Sequence, residues 1–245
     1  MNNPEQSAGE EKALISYQGV SISHNGHEVV KNVTFTVFPK EFIFLTGCVG
    51  SGKSSILRTI YKDLDFSAGK GTVLGYNLSK IRRKQIPDLR KQLGIIFQDY
   101  KLLGDLTVWK NLAFVLKATG IKQKSEIEKR IDDTLKLVGL EGKEDKYPNE
   151  LSGGEQQRAA IARAIINNPK IILADEPTGN LDKKAAMDIT QLLETISENG
   201  AVVIMSTHNQ DLVKTFTGKV FQCKDGEFRD ITDEYNNKSE LQENQ

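Results

Sequence analysis

Four short apolar runs constrain this chain more than any other feature, because each is continuous and each ends on a residue able to do chemistry. Glu41–Thr46 (EFIFLT) runs into Gly47, Leu93–Phe97 (LGIIF) into Gln98, Lys170–Ala174 (KIILA) into Asp175 and Glu176, and Ala201–Ser206 (AVVIMS) into Thr207 and His208. A strand with one wet face alternates apolar and polar residues, whereas a continuous run marks a strand covered on both faces, as in a parallel sheet between helical layers. Ligands of open α/β sheets bind beyond the carboxyl ends of the strands. Four strand ends carrying Gly, Gln, Asp-Glu and His therefore predict one shared site. Buried strands alone explain the apolar runs but not their polar ends.

Helices are expected between the runs. Ile56, Leu57, Ile60, Tyr61 and Leu64 share one helical face, and Val108–Thr119 and Ser125–Val138 show the same periodicity. The stretch 99–174 is far longer than one crossover needs, so a helical lobe over about 99–165 is read as an insertion. Alternation over Ile15–Ile22 and Val33–Val37, with Asn25-Gly26 between, predicts an antiparallel β portion at the start. The expected fold class is thus α/β, with a mostly parallel sheet, an N-terminal antiparallel part and an inserted helical lobe. One domain is expected over 14–232, with polar flexible tails at 1–13 and 233–245.

The strand ending at Thr46 meets Gly47-Cys48-Val49-Gly50-Ser51-Gly52-Lys53-Ser54, followed by Ser55 and the first helical face. This is G-x-x-x-x-G-K-[ST] in the context its mechanism requires. Glycines let the backbone wrap so that successive N–H groups point at phosphate oxygens, and the helix adds its dipole and free N–H groups. Lys53 is placed to reach the β- and γ-phosphates and Ser54 to ligate Mg²⁺. Asp175 and Glu176 follow a strand, and beyond its end both can reach the same site. An aspartate there orients the metal, and a neighbouring carboxylate polarises the attacking water. His208 is the one histidine at the carboxyl end of a core run, and Gln98 is positioned to touch metal or water.

Leu151-Ser152-Gly153-Gly154-Glu155-Gln156-Gln157 opens a second helix with a capping box, Ser152-x-x-Glu155. Two glycines in the first turn cost about 1 kcal/mol each relative to alanine, and they expose bare N–H groups to an anion. The chain therefore has two helix starts suited to phosphate. One ATP per chain does not need both, and a dimer in which each second helix caps the other copy's ATP uses both.

LSGGEQQ, together with GCVGSGKS, Phe97–Asp99 (FQD), Ile172–Asp182 (ILADEPTGNLD) and Ser206–His208 (STH), resembles the ABC ATPase superfamily over about residues 14–230. The resemblance implies a P-loop ABC core, ATP and Mg²⁺ as cofactors, and a head-to-tail dimer. Ser152, Gly153 and Gly154 would contact the partner copy's γ-phosphate, and Asp182 would lie in the loop crossing the interface. Glu176 would be the general base, His208 the γ-phosphate sensor, and Gln98 the link between the metal, held with Ser54 and Asp175, and a membrane partner. Finer features, Ile86–Leu103 (IPDLRKQLGIIFQDYKLL) and Leu106–Leu112 (LTVWKNL), are similar to the cell-division branch. Members of that branch pair with an FtsX-like membrane protein that transmits the ATPase cycle to cell-wall hydrolases. Lipoprotein-release and macrolide-export ATPases are the neighbouring alternative, and a soluble ABC ATPase acting on ribosomes or DNA the more distant one.

One departure stands out. The family usually stacks an aromatic residue on adenine, and here the matching position is His24. The expectation is a modest preference for ATP over GTP, and a preference of about tenfold or more in steady-state kinetics refutes it. Lys+Arg and Asp+Glu number 33 each, so no basic excess points to nucleic acid. Cys48 and Cys223 lack metal or redox spacing and are expected to be free thiols. No apolar run approaches a membrane span and the N-terminus lacks a signal-like core, which places the expected protein on the cytoplasmic side, joined to the membrane through a partner.

Overall fold

The computed structural model describes residues 12–24 and 26–235, with the side chain of His24 outside that description. Most of both expected tails also lies outside the described residues. The chain continues past residue 232 in a helical turn, and Tyr235 packs on the core.

Among the described residues, ten strands form one mixed sheet. In chain order they are β1 Ile15–His24, β2 His27–Val37, β3 Phe42–Thr46, β4 Ala68–Val73, β5 Tyr76–Asn77, β6 Leu93–Ile96, β7 Ile171–Asp175, β8 Val202–Thr207, β9 Lys219–Lys224 and β10 Glu227–Asp230. Their spatial order is β5-β4-β1-β2-β10-β9-β3-β8-β7-β6. The run β9-β3-β8-β7-β6 is parallel throughout, and β1, β2, β4 and β5 are joined by antiparallel pairings. The helices are α1 Lys53–Ile60, α2 Ile86–Arg90, α3 Val108–Thr119, α4 Lys124–Val138, α5 Gly153–Ile165, α6 Lys183–Glu198 and α7 Gln210–Thr215.

The continuous apolar runs are explained by two cores, one on each face of the parallel strands. Phe42, Phe44, Ile172, Ala174, Val203 and Met205 point into one core with α3–α6. Their neighbours Ile43, Leu45, Ile171, Leu173, Val202 and Ile204 point into the other, with α1 and the β1–β2 hairpin. The period of two is intact, but both sides are apolar. β2, by contrast, alternates exposed and buried residues over its second half.

The helical lobe is anchored where it leaves the sheet. Arg163 of α5 donates to the backbone oxygens of Tyr100, at 2.8 Å, and Lys101. Both residues have positive φ, so this gripped turn holds an unfavourable backbone just beyond Gln98. Asn111, buried in α3, accepts from the Leu103 N–H at 2.9 Å and donates to the carbonyls of Leu103, Leu106 and Thr107. That one amide ties residues 103–107 to α3.

Candidate functional site

The phosphate loop is shaped by close packing at its first glycine. A β-carbon on Gly47 would stand 2.3 Å from the Cys223 carbonyl oxygen and 2.5 Å from Ser51 Oγ, and its φ is +145°. No larger residue fits. Gly52, at φ +100°, is the N-cap of α1, and no side chain caps that helix. The first-turn N–H groups around Ser54 and Ser55 are therefore left for an anion. Cys48 and Val49 form the exposed crest of the loop, with Gly50 beside them. Cys223 is buried, and burial pushes its thiol up to about 12.

The Lys53 ammonium, almost fully buried, turns back into the loop. It donates to the carbonyls of Gly47 at 2.8 Å and Cys48 at 3.1 Å, and pairs with Glu176 Oε1 at 3.2 Å. The second oxygen of Glu176, Oε2, lies 2.9 Å from His208 Nδ1. Lys53, Glu176 and His208 thus form a continuous line drawn from α1, the end of β7 and the end of β8. Ser54 Oγ donates to Asp175 Oδ1 at 2.9 Å. A carboxylate and a hydroxyl this close are a hard-oxygen pair of the kind magnesium takes, with its other positions left to phosphate and water. Glu176 itself has φ +46°, a left-handed conformation rare for a residue with a side chain.

A residue whose role the sequence reading missed sits between these groups. Ser206, on β8 and fully buried, donates to Asp175 Oδ1 at 2.7 Å and accepts from the Glu176 N–H at 2.9 Å. In the sequence it is the polar end of AVVIMS and the first residue of the Ser206–His208 motif, with no role given to its hydroxyl. Only the β7–β8 register, which sets Asp175 opposite Ser206, reveals it.

Other expected site residues stand apart. Gln98 is exposed. Its backbone oxygen accepts from Asn180 Nδ2 at 3.2 Å, and its amide nitrogen lies 3.5 Å from where a β-carbon on Gly179 would be, so it adjoins the loop after Glu176. Among the described residues its side chain makes no hydrogen bond to Ser54 or Asp175. Asp182 caps α6, accepting from the Ala185 N–H at 2.9 Å. Ser152 accepts from the Glu155 N–H at 3.3 Å, and Glu155 Oε2 accepts the Ser152 N–H at 2.8 Å, completing the expected capping box. The Ser152 N–H above all, then Lys143 at 3.0 Å and the Ser152 hydroxyl at 2.9 Å, draw the Glu155 carboxyl down to about 2. Gly153 lies under the Tyr100 hydroxyl and beside Leu181. Among the described residues, no hydrogen bond or ion pair joins Ser152–Gly154 to Gly47–Ser54. His24 ends β1 opposite His27, and the expectation for its side chain lies outside the described residues.

The fold and this loop–carboxylate–histidine line define an ATP-hydrolysing cassette. Residues 30–179 match the ABC transporter family, and the chain belongs to that family. Among curated relatives it is similar to the cell division ATP-binding protein FtsE of Streptococcus pneumoniae serotype 2, 45% identical over 202 residues, covering 82% of this chain and 87% of the relative. It is also similar to the proteins of the same name from Bacillus subtilis, 42% identical over 82% of this chain and 88% of the relative, and Escherichia coli K12, 40% over 87% and 96%. Among solved structures, CbiO1 of Clostridium perfringens, described as part of the ABC transporter complex CbiONQ, superposes with a TM-score of 0.85 at 28% identity, covering 95% of this chain and 94% of that one. The cassette MJ0796, described as a dimeric post-hydrolysis state bound to ADP and Pi, superposes at 0.79 with 32% identity, covering 89% and 98%.

Proposed function

We propose that this chain is the ATP-hydrolysing subunit of an ABC-type membrane complex acting in cell division, that two copies close head to tail around two ATP, and that an FtsX-like membrane protein is the partner their cycle drives. The observation that carries this reading is the division of phosphate-binding groups within one chain. The loop from Gly47 to Ser54 already converges on Asp175, Glu176 and His208, while the helix start at Ser152 stands unattached to it. A single copy has no use for the second group, and two facing copies employ both. The names of the FtsE relatives support the cellular role, and the description of MJ0796 as a dimer supports the assembly.

In this reading the N–H groups from Gly47 to Ser55 cradle the phosphates, and Lys53 and His208 hold the terminal one. Glu176 accepts a proton from the attacking water, and His208 Nδ1 keeps its carboxylate aimed. Ser54, Asp175 and Gln98 hold magnesium, whose charge offsets that of the phosphate oxygens when it is bound. Ser152, Gly153 and Gly154 of one copy close on the ATP of the other, Asp182 lies in the loop between them, and His24 faces the adenine. Among the described residues no helix is long and apolar enough to cross a membrane. The partner seats on the lobe near Tyr100–Leu106, where Leu103 is exposed and a cavity of about 290 Å³ is lined by Phe97, Lys101, Val115 and Arg163.

The test is a tagged Glu176→Gln protein loaded with ATP·Mg²⁺, used to recover partners from detergent-solubilised native membranes for mass spectrometry. An FtsX-like protein with division components is expected. A lipoprotein-release or efflux permease moves the assignment to the transport branch, and no membrane protein at all refutes the membrane role. The same variant is expected to elute as a dimer at saturating ATP, and a monomer refutes the sandwich.

A further inference from the structure

We propose that Ser206 is a positioning residue for ATP hydrolysis, its single hydroxyl locking the Asp175 carboxylate and the Glu176 backbone into their working arrangement. The inference rests on the reading of Glu176 as the general base and goes beyond it.

β7 ends at Asp175, so the next N–H, that of Glu176, has left the ladder with β8. Buried N–H groups need an acceptor, and the Ser206 oxygen provides one at 2.9 Å. An N–H can only donate and an ionised carboxylate can only accept, so the hydroxyl's polarity is fixed by its neighbours. It takes the hydrogen of Glu176 on a lone pair and gives its own to Asp175 Oδ1 at 2.7 Å. A methyl performs neither task, and an ionised carboxylate cannot donate.

The two bonds serve different groups. On the backbone side, the Glu176 N–H is held while the residue keeps φ +46°, a conformation that persists only where its surroundings impose it. On the side-chain side, Asp175 Oδ1 accepts from Ser54 as well as from Ser206, while Oδ2 accepts no hydrogen bond among the described residues. Ser54 is exposed and is itself a metal ligand in the proposed reading, so its bond to Asp175 is the exchangeable one. Ser206 is fully buried within the sheet, and its bond is the fixed one. Packing alone does not require the oxygen, since alanine fills the same strand position.

The experiment compares wild type, Ser206→Ala and Ser206→Thr. Removing one hydrogen bond to a charged group is expected to lower kcat about tenfold in Ser206→Ala, with KM for ATP held within about twofold, and Ser206→Thr is expected to restore kcat because it keeps the hydroxyl. A second readout is independent of turnover. In nucleotide-free, metal-free protein, amide hydrogen exchange at Glu176 is expected to be about tenfold faster in Ser206→Ala than in wild type. Wild-type kcat in Ser206→Ala, or unchanged exchange at Glu176, overturns the proposal. If the extra methyl of threonine prevents folding, the exchange comparison between wild type and alanine decides alone. Turnover retained by Glu176→Gln overturns the base reading and the catalytic half of this proposal together. Turnover lost in Glu176→Gln but kept in Ser206→Ala overturns only the role of Ser206.

Discussion

Lys53 is engaged by the carboxylate expected to act on water, and this makes a quantitative prediction for Glu176→Gln. The Lys53–Glu176 pair stands at 3.2 Å with both side chains mostly buried. At that distance an effective dielectric of about 20 gives a gross attraction of about 5 kcal/mol. Most of it is offset by the desolvation of both groups, and Lys53 keeps two carbonyl acceptors in either state. A hydrogen bond to a charged group has a net worth of about 1.5–3 kcal/mol, which bounds what an incoming phosphate must displace. Glutamine preserves the shape and one acceptor oxygen but removes the charge. Phosphate then competes with a neutral amide rather than a carboxylate, and its own repulsion from Glu176 also disappears. Both changes act in the same direction, so affinity is expected to rise by about tenfold or more, at 1.4 kcal/mol per factor of ten. The assay is calorimetric titration with ADP in the absence of metal, so that neither turnover nor metal contacts contribute. Affinity in Glu176→Gln that is unchanged within about twofold, or weaker, refutes the argument that this ion pair restrains the loop.

Lys53→Ala is expected to lose nucleotide binding by about a hundredfold or more in the same titration, since a buried cation facing phosphate has no substitute in the loop. Asn111→Ala is expected to cost about 2–4 kcal/mol in denaturant unfolding, because four hydrogen bonds to residues 103–107 lose their partner and the carbonyls they leave are partly buried. For Glu155 the folded-state pKa of about 2 lies below the ordinary 4.5, so the carboxylate stabilises the fold above about pH 4.5 and loses that contribution as pH falls toward 2. The stability gap between wild type and Glu155→Ala is therefore expected to be full at neutral pH and to shrink through that acid window in pH-dependent unfolding.

The parallel strands were legible because burial on both faces leaves an unbroken apolar signature, and β3, β6, β7 and β8 fall on the four runs that carry it. α3 spans Val108–Thr119 as its periodicity predicts, since Thr107 caps one end and Gly120 in a left-handed conformation closes the other. Other elements left weaker marks. β4 is glycine-rich and largely exposed, β5 has two residues, and α7 is under two turns long. β9 and β10 mix polar and apolar residues; they pair with each other across the Asp225-Gly226 turn, and their places in the sheet come from the distant strands β3 and β2. In the site, the loop and the carboxylates were readable because local order dictates their chemistry. The bonds that tie them together were not: Lys53 meets Glu176, and Ser206 meets Asp175, only through sheet register.

Asp175 and Glu176 show how this site reconciles sequence with geometry. Consecutive residues on a strand face opposite sides, so two adjacent carboxylates cannot both serve one site while the strand continues. Here the strand stops after the first, and the second turns into a left-handed conformation at φ +46°. That turn costs of order 1–3 kcal/mol for a residue with a β-carbon. Three contacts hold it: the Ser206 oxygen on the backbone N–H, Lys53 on one carboxylate oxygen and His208 on the other. Two of the three belong to groups that nucleotide itself is expected to engage. In the proposed reading, phosphate arriving at Lys53 would draw the ammonium off Glu176 Oε1, while His208 Nδ1 on Oε2 and Ser206 on the backbone N–H would keep the residue in its strained turn with one carboxylate oxygen open to water.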